Sequence, residues 1–251
     1  MIDRLQNSNS IVVAGHRGYL SAYPENTLLG FQKAIDLGLE MVEFDLRLSK
    51  DKMLMVIHDD SVDRTTNGSG KVRDFTMKEL KEFDASNEFQ QYGKQEIPTF
   101  RELCELLKPF PDILLNVEIK PSADAKEAAD EAIVMLKEYD YLTRCVFTSF
   151  DAEVIAHIYD TYGLKTQGFL GEVMQNFDPS ENGTYSKMWA GALSMDLLTP
   201  ERIEFFQKQG ILAWCYCPDD GAQVQYALEC GATLMTCNDP MPALSILKNK
   251  S

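Results

Sequence analysis

Residues 41–58 read MVEFDLRL, SKDK and MLMVIH: two apolar runs separated by four polar residues. Residues 41–48 and 53–58 each have the length and the composition of a β-strand. A parallel crossover needs about a dozen residues, whereas an antiparallel hairpin needs as few as two. The short gap therefore predicts that residues 53–58 fold back beside residues 41–48, with the turn centred near Asp51 and His58 opposite Phe44.

The rest of the chain alternates between apolar strands and amphipathic helices. Further strands are predicted at residues 11–15, 113–119, 145–149, 166–170, 192–195, 211–216 and 233–236. Helices are predicted at residues 27–37, 99–107, 123–139, 152–162, 200–209, 221–230 and 243–248. Such alternation favours a parallel sheet. Without the folded-back strand, eight of the nine strands remain, which predicts an α/β protein of the (β/α)8 TIM-barrel class.

Several helix ends carry recognisable signals. Asn26 is placed to cap the helix at 27–37, and Gly38 is placed to end it. Thr99-x-x-Glu102 forms a predicted capping box. Thr199 precedes a proline at the first position of the helix at 200–209.

Residues 59–98 interrupt the alternation after the hairpin. They contain a turn at residues 67–70 and one short helix with its own capping box, Thr76-x-x-Glu79. Loops of about 40 residues in a compact domain are usually functional. We therefore expect residues 1–251 to form a single barrel domain in which residues 59–98 are a cap-like insertion over the barrel mouth.

The composition limits the classes of partner. The chain has 251 residues, 45% of them hydrophobic, and 24 basic against 39 acidic residues, which gives a net charge of −15. Such an acidic protein is repelled by nucleic acids and by anionic membrane surfaces. A small anionic substrate in a local basic pocket remains compatible with this charge. We expect no signal peptide, no membrane insertion and a cytoplasmic location, whereas the composition leaves the oligomeric state open.

Two of the three histidines, His16 and His58, end predicted strands. Barrel enzymes place their active sites at the C-terminal ends of the strands. These positions favour a catalytic role, whereas His157 lies in the middle of a predicted helix and is expected to be structural.

Acidic residues also interrupt two otherwise apolar strands. Glu43 and Asp45 are two residues apart and so share one face of a strand, and Glu118 occupies a similar position in another strand. Buried carboxylates without partners cost several kcal/mol, and a shared divalent cation would offset that cost. The alternative is a set of buried ion pairs with Arg17 and Lys120.

Arg17 and Lys120 bring two positive charges to the same predicted barrel mouth. In an acidic protein, this local cluster suggests that the substrate carries an anionic group. Gly15 and Gly18 bracket the His16-Arg17 pair and would let the backbone approach a ligand closely. Carboxylates, cations and histidines together favour phosphoryl-ester chemistry.

An ordered set of motifs resembles the glycerophosphodiester phosphodiesterases. The set comprises His16-Arg17-Gly18, Pro24-Glu25-Asn26-Thr27, Glu43-Phe44-Asp45, His58-Asp59 and Glu118-Ile119-Lys120. The Phe75-Thr76-x-x-Glu79-Leu80 and Ile97-Pro98-Thr99 stretches resemble the insertion of that family. The resemblance spans about residues 12–240, and the order of the motifs is more specific than any one of them.

The resemblance implies a role for each site residue. Glu43, Asp45 and Glu118 match the metal ligands, with Mg²⁺ or Ca²⁺ as the cation. His16 and His58 match the acid/base pair, without indicating which is the acid. Arg17 and Lys120 match the phosphate contacts. Trp214 matches a tryptophan near the substrate, although an ordinary core aromatic residue is the alternative reading.

Two stretches of the C-terminal half depart from the family pattern. After Trp214 the family usually has a Thr-Val-Asn type of sequence, whereas this chain has Cys215-Tyr216-Cys217. Near the last strand a Thr-Asp-x-Pro sequence is common, whereas this chain has Cys237-Asn238-Asp239-Pro240. Both changes spare the metal and histidine positions but affect the expected shape of the pocket for the leaving alcohol.

The expected activity is metal-dependent hydrolysis of glycerophosphodiesters to glycerol 3-phosphate and an alcohol. Two alternatives remain at this point. One is a related phosphodiesterase that acts on lysophospholipids or phosphoinositides. The other is a barrel that binds phosphorylated metabolites without catalysis.

Overall fold

The computed structural model describes residues 1–6 and 11–248. Its strands are β1 (Val12–Gly15), β2 (Met41–Leu48), β3 (Leu54–Val56), β4 (Leu114–Ile119), β5 (Cys145–Thr148), β6 (Thr166–Phe169), β7 (Ala190–Ser194), β8 (Leu212–Tyr216) and β9 (Leu234–Cys237). The α-helices are α1 (Leu28–Asp36), α2 (Met77–Leu80), α3 (Phe100–Leu107), α4 (Ala125–Glu138), α5 (Ala152–Tyr162), α6 (Pro200–Lys208), α7 (Gly221–Cys230) and α8 (Met241–Lys248). Within these described ranges, every helix is too short or too polar to cross a lipid bilayer.

Eight of the strands close into a parallel barrel. The hydrogen-bonded order runs β1-β9-β8-β7-β6-β5-β4-β2, and a further pairing of β1 with β2 completes the ring. An α-helix lies between successive barrel strands along the chain, except that β6 and β7 are joined by two 3-10 turns, Gly171–Val173 and Thr184–Lys187. The predicted TIM-barrel class is therefore confirmed.

The hairpin that reduces nine strands to eight is also confirmed. β3 runs antiparallel to β2, with Leu46 opposite Val56 and Leu48 opposite Leu54. Continuing this register places Phe44 opposite His58, and the Ile57 amide donates to the carbonyl oxygen of Asp45 at 3.0 Å. The regular strand is shorter than predicted, but the register is the one that the four-residue gap implies.

Alternation along β2 sets the direction of its acidic side chains. Phe44 points outward, where its ring packs against Phe31 of α1 and Phe100 of α3 at centroid distances of 6.1 and 5.4 Å. Because neighbouring residues of a strand face opposite sides, Glu43 and Asp45 point into the barrel. Aromatic packing on the outer face thus fixes the carboxylates on the inner face.

Most of the predicted helix ends are correct. Capping boxes at Thr76 and Thr99 are present, and the Thr199 side chain caps α6. The prediction for α1 is wrong by one residue, because Thr27 rather than Asn26 is the cap and accepts from the Gly30 amide at 3.1 Å. Asn26 instead has a positive φ of 53°, which turns its side chain toward the barrel.

The insertion at residues 59–98 has a small apolar cluster of its own around β3. Its buried members are Met55, Ile57, Val62, Val72, Leu80, Ala85 and Ile97. The cluster is separate from the main core between the barrel and its helices. This packing attaches the insertion to the hairpin strand that leads directly to His58.

Candidate active site

Three carboxylates converge at the C-terminal ends of β2 and β4. Asp45 and Glu118 are register partners in the two strands. Glu43, Asp45 and Glu118 each offer an oxygen, and these oxygens lie within 4.8 Å of one another. All three residues are buried, so their charges are concentrated where water screens them poorly.

The electrostatics of this cluster are unbalanced. Burial raises the pKa of Glu43 well above its usual value, and the neighbouring Asp45 and Glu118 raise it further. Burial alone would also raise the pKa of Asp45, but Lys120 and Arg17 bring it below its ordinary value. Glu43 Oε1 and Asp45 Oδ1 are buried without a hydrogen-bond donor. Two acceptor oxygens of the cluster are thus free of hydrogen bonds and chemically suited to bind a cation.

Two cations lie against the carboxylates. Arg17 follows β1, and its amide donates to Glu43 Oε2 at 2.9 Å while its Nε lies 3.5 Å from Asp45 Oδ2. Lys120 follows β4, and its Nζ lies 2.5 Å from Glu118 Oε1 and 3.5 Å from Asp45 Oδ1. The buried ion pairs considered from the sequence are therefore present. One of them brings Lys120 to Asp45 Oδ1 without a hydrogen bond, whereas Glu43 Oε1 has no ion-pair partner among the described residues.

The glycines around His16 and Arg17 are required by the turn itself. A Cβ on Gly15 would lie 2.2 Å from the Gly18 carbonyl oxygen. Gly18 has a φ of +91°, and a Cβ there would lie 2.7 Å from the Gly30 carbonyl carbon. The close approach that these glycines permit is to the start of α1, which locks the His16-Arg17 turn in place.

The orientation of His16 is fixed by residues from the other end of the chain. Its Nδ1 lies 2.5 Å from Asn238 Oδ1, and its Nε2 lies 3.9 Å from Glu43 Oε2. Asp219 holds the Asn238 amide in turn, accepting from Nδ2 at 2.6 Å and from the backbone N–H at 2.7 Å. Since the amide nitrogen is committed to Asp219, its oxygen accepts the Nδ1 proton of His16. The Nε2 lone pair then faces the carboxylate side of the cavity.

His58 has a different partner. Its Nδ1 lies 2.6 Å from Asp59 Oδ1, and Arg64 holds the other oxygen of Asp59 at 2.7 Å. The carboxylate stabilises the protonated ring, whereas Asn238 gives His16 a neutral acceptor. Burial lowers the pKa of both histidines, that of His16 to about 4.

His157 lies outside this site, as expected. Its Nε2 lies 2.6 Å from Asp130 Oδ1, which joins α5 to α4 on the outer layer of the barrel.

One cavity joins these groups to the other side of the barrel. It offers about 180 Å³ to water-sized molecules, and His16, His58 and the two cations lie along its wall together with Glu43 and Glu118. Trp214 also lines it, although the ring is almost fully buried and its Nε1 donates to Thr236 Oγ1 at 2.8 Å. Trp214 is thus both a buried core residue and a part of the cavity wall.

The comparison with protein families agrees with this geometry. Residues 16–241 match the model of the glycerophosphoryl diester phosphodiesterase family. The chain belongs to this family. Its members are phosphoric diester hydrolases, so the predicted enzyme class is confirmed.

Individual relatives extend the likeness over nearly the whole chain. A glycerophosphodiester phosphodiesterase of Caldanaerobacter subterraneus subsp. tengcongensis is 29% identical over 94% of this chain and 98% of its own. A phosphodiesterase from Oleispira antarctica, solved with the product sn-glycerol-3-phosphate, matches with a TM-score of 0.84 at 24% identity, covering 97% and 99% of the two chains. A glycerophosphodiester phosphodiesterase from Parabacteroides distasonis has a TM-score of 0.81 at 20% identity, covering 96% and 99%.

Two residues that support this candidate site, Asn26 and Glu25, were given no part in it by the sequence analysis. Asn26 donates to Asp45 Oδ2 at 2.8 Å, and Glu25 accepts from both Arg17 and Arg64. Both residues belong to the Pro24-Glu25-Asn26-Thr27 motif, so the signal was present in the sequence.

The two departures from the family pattern meet at His16. Cys217 Sγ lies 3.5 Å from His16 Nδ1, beside the hydrogen bond that Nδ1 donates to Asn238 Oδ1. They were expected to alter the pocket for the leaving alcohol, whereas both contact a candidate catalytic residue. All six cysteines are free, and Cys217 is half-buried while the others are buried.

Proposed function

We propose that this protein hydrolyses glycerophosphodiesters to glycerol 3-phosphate and an alcohol, with the aid of a divalent cation. The observation that carries the proposal is the convergence of three buried carboxylates, two cations and two histidines on one cavity. The Oleispira antarctica enzyme of the same fold binds sn-glycerol-3-phosphate as its product, which is the product proposed here.

Glu43, Asp45 and Glu118 would hold the cation, Mg²⁺ or Ca²⁺. Both are hard ions that take oxygen ligands, and the two orphaned oxygens of Glu43 and Asp45 fit that requirement. The raised pKa of Glu43 also fits, since a positive ion would relieve the repulsion from its two neighbours. When bound, the ion supplies Lewis-acid stabilisation of charge on a phosphoryl oxygen.

Arg17 and Lys120 are the proposed phosphate contacts. Both are buried or nearly so, and burial strengthens their attraction for the phosphoryl oxygens because little water screens it. Their present carboxylate partners hold them ready in place, so little reorganisation is needed when substrate binds.

The histidine partners suggest an order of proton transfers. His16 is neutral and presents Nε2 as an acceptor, so we assign it as the base that takes a proton from the attacking hydroxyl group. Burial lowers the pKa of His58 too, but the Asp45 and Asp59 carboxylates oppose that shift. Of the two histidines we therefore assign His58 as the acid that protonates the leaving oxygen. The two would exchange roles if the reaction passes through a second step.

Trp214 and the insertion complete the proposed substrate site. Trp214 would pack against the carbon skeleton of the glycerol, since its ring borders the cavity on the side away from Lys120. Residues 59–98 would act as a cap, because Arg64 joins Asp59 to Glu25 at the rim of the site.

A turnover assay tests this function. Purified protein is incubated with glycerophosphoethanolamine, and the release of glycerol 3-phosphate is followed before and after treatment with EDTA. We expect release that stops on chelation and returns with Mg²⁺ or Ca²⁺. Unchanged release after exhaustive chelation would refute the metal assignment, and no release under any of these conditions would refute the activity.

A further inference from the structure

A second cavity lies beside the active site, between the barrel and the insertion. It offers about 200 Å³ to water-sized molecules. We call it the basic pocket and define it by Arg47, Asp60, Lys71, Arg73, Ser122 and Asp124. Arg47 comes from β2, the next three residues from the insertion, and the last two from the loop that precedes α4.

The basic pocket has an excess of positive charge. Lys71 is paired with Asp60 inside the pocket, and Asp124 is paired at 3.0 Å with Lys52. Across residues 1–6 and 11–248, neither Arg47 nor Arg73 forms an ion pair with a carboxylate. Two guanidinium groups in a chain of net charge −15 therefore remain available to an anion.

The start of α4 adds to the positive electrostatic potential of the basic pocket. The helix begins at Ala125, directly after the pocket loop, and runs for 14 residues. Amides at a helix N-terminus favour negative charge nearby. The Asp124 side chain caps none of these amides.

The basic pocket lies one layer of side chains beyond the proposed metal site, toward the C-terminal end of β2. Arg47 is two residues past Asp45 on the same strand face, a rise of roughly 7 Å. The β2–β4 register, which pairs Leu46 with Ile119, continues to Arg47 beside Lys120. Arg47 Nε also donates to the carbonyl oxygen of His58 at 2.8 Å. A group bound here would be separated from the phosphate at Lys120 by only a short part of the substrate.

We propose that the basic pocket binds an anionic group carried by the leaving alcohol, a carboxylate or a phosphate. This proposal rests on the proposed function. A planar guanidinium pairs with both types of anion in a bidentate manner. The enzyme would therefore prefer diesters whose alcohol is anionic over those whose alcohol is neutral or cationic.

Two matched substrate pairs test the preference. Glycerophosphoserine differs from glycerophosphoethanolamine by one carboxylate, and glycerophosphoinositol 4-phosphate differs from glycerophosphoinositol by one phosphate. For each pair the measurement is the ratio of kcat/KM, anionic over non-anionic alcohol. We expect the larger of the two ratios to exceed 1 and to identify the source of the anion, whereas ratios of 1 or less for both pairs would overturn the proposal.

Arg73→Gln is the decisive variant, since Arg73 is exposed and its replacement leaves the core intact. We expect it to lower the larger ratio on the order of 3- to 10-fold at low ionic strength, and less at high salt. Lys78→Gln is the matched control, because it removes one positive charge from the same insertion outside the pocket. Its ratio should equal that of the unmodified protein.

The outcomes separate the two proposals. Turnover with ratios that Arg73→Gln does not change would overturn the basic pocket alone, as would an equal loss in Lys78→Gln. No turnover of any of the four substrates would overturn the proposed function and the pocket assignment together.

Discussion

The two halves of the barrel contribute different chemistry to one cavity. The charged side chains come from β1, β2 and β4 and the residues that follow them. The lining from β5 to β9 and the loops that follow them carries no charge and is formed by Thr148, Phe150, Gln167, Phe169, Ala192, Trp214, Tyr216 and Thr236. The first half supplies the groups proposed to hold a phosphate and a cation, whereas the second half supplies uncharged side chains around them.

Residues of the second half nevertheless orient one candidate catalytic residue of the first half. Asn238 and Asp219 orient His16, which stands on the first strand, because β1 and β9 are neighbours in the closed barrel. His58 has its partner, Asp59, next to it in the sequence. Closure of the barrel thus gives the two histidines partners of different charge.

The largest effect is expected from the proposed metal ligands of the first half. Glu118→Gln should lower kcat/KM by about 10⁴-fold or more, because metal ions contribute several kcal/mol to transition-state stabilisation. It should also abolish the rise in Tm that Mg²⁺ or Ca²⁺ causes in the unmodified protein. Glu118→Gln also breaks the 2.5 Å pair with Lys120, so stability without cation is compared in Glu43→Gln. That variant should be at least as stable as the unmodified protein, since it removes the charge that Asp45 and Glu118 repel. A variant that keeps both activity and the cation-dependent Tm would contradict the assignment.

Loss of either histidine should be somewhat less severe. His16→Ala and His58→Ala should each lower the rate on the order of 10²- to 10⁴-fold, the usual contribution of a general acid or base. His157→Ala is the control, because its ring is bound to Asp130 on the outer helices. An effect of His157→Ala as large as that of His58→Ala would show that the site is elsewhere.

The neutral partner of His16 gives a prediction on pH. Burial, and then Arg17, hold the pKa of His16 at about 4, so the acidic limb of kcat/KM should lie well below the ordinary histidine value of about 6.5. Asn238→Asp places a carboxylate beside Nδ1 and raises that pKa, so the limb should move up by roughly 1 pH unit. Activity would then be lost at a higher pH as the solution is acidified. The control is Asn182→Asp, which makes the same substitution at an exposed position outside the cavity wall and should leave the limb in place.

The first half of the site was predictable because its signals are local. A four-residue gap forces the hairpin, and spacing of two along β2 puts Glu43 and Asp45 on one face. Those constraints follow from chain geometry alone, so they place His58 near the carboxylates without knowledge of any distant contact.

The contribution of the second half was missed because it depends on barrel closure. Asn238 and Cys217 reach His16 across more than 200 positions, and no periodicity or spacing relates such distant residues. The prediction of the N-cap of α1 was wrong for a related reason. Asn26 is a good capping residue, but a hydrogen bond to the buried Asp45 takes its side chain from the helix end.

The smallest expected effect tests whether the second half acts through shape. Tyr216 packs edge-to-face on Phe169 at 5.7 Å, and Phe169 stacks on Phe150 at 3.6 Å. An aromatic pair of this kind contributes about 0.5–1.5 kcal/mol beyond its buried area, so Tyr216→Leu should raise KM about 2- to 10-fold. The value of kcat should change little, since the ring packs against Lys120 only indirectly, through Phe169 and Phe150. Tyr226→Leu is the control, because Tyr226 is exposed on α7. A fall in kcat with an unchanged KM would mean that this wall positions the reacting groups rather than the rest of the substrate.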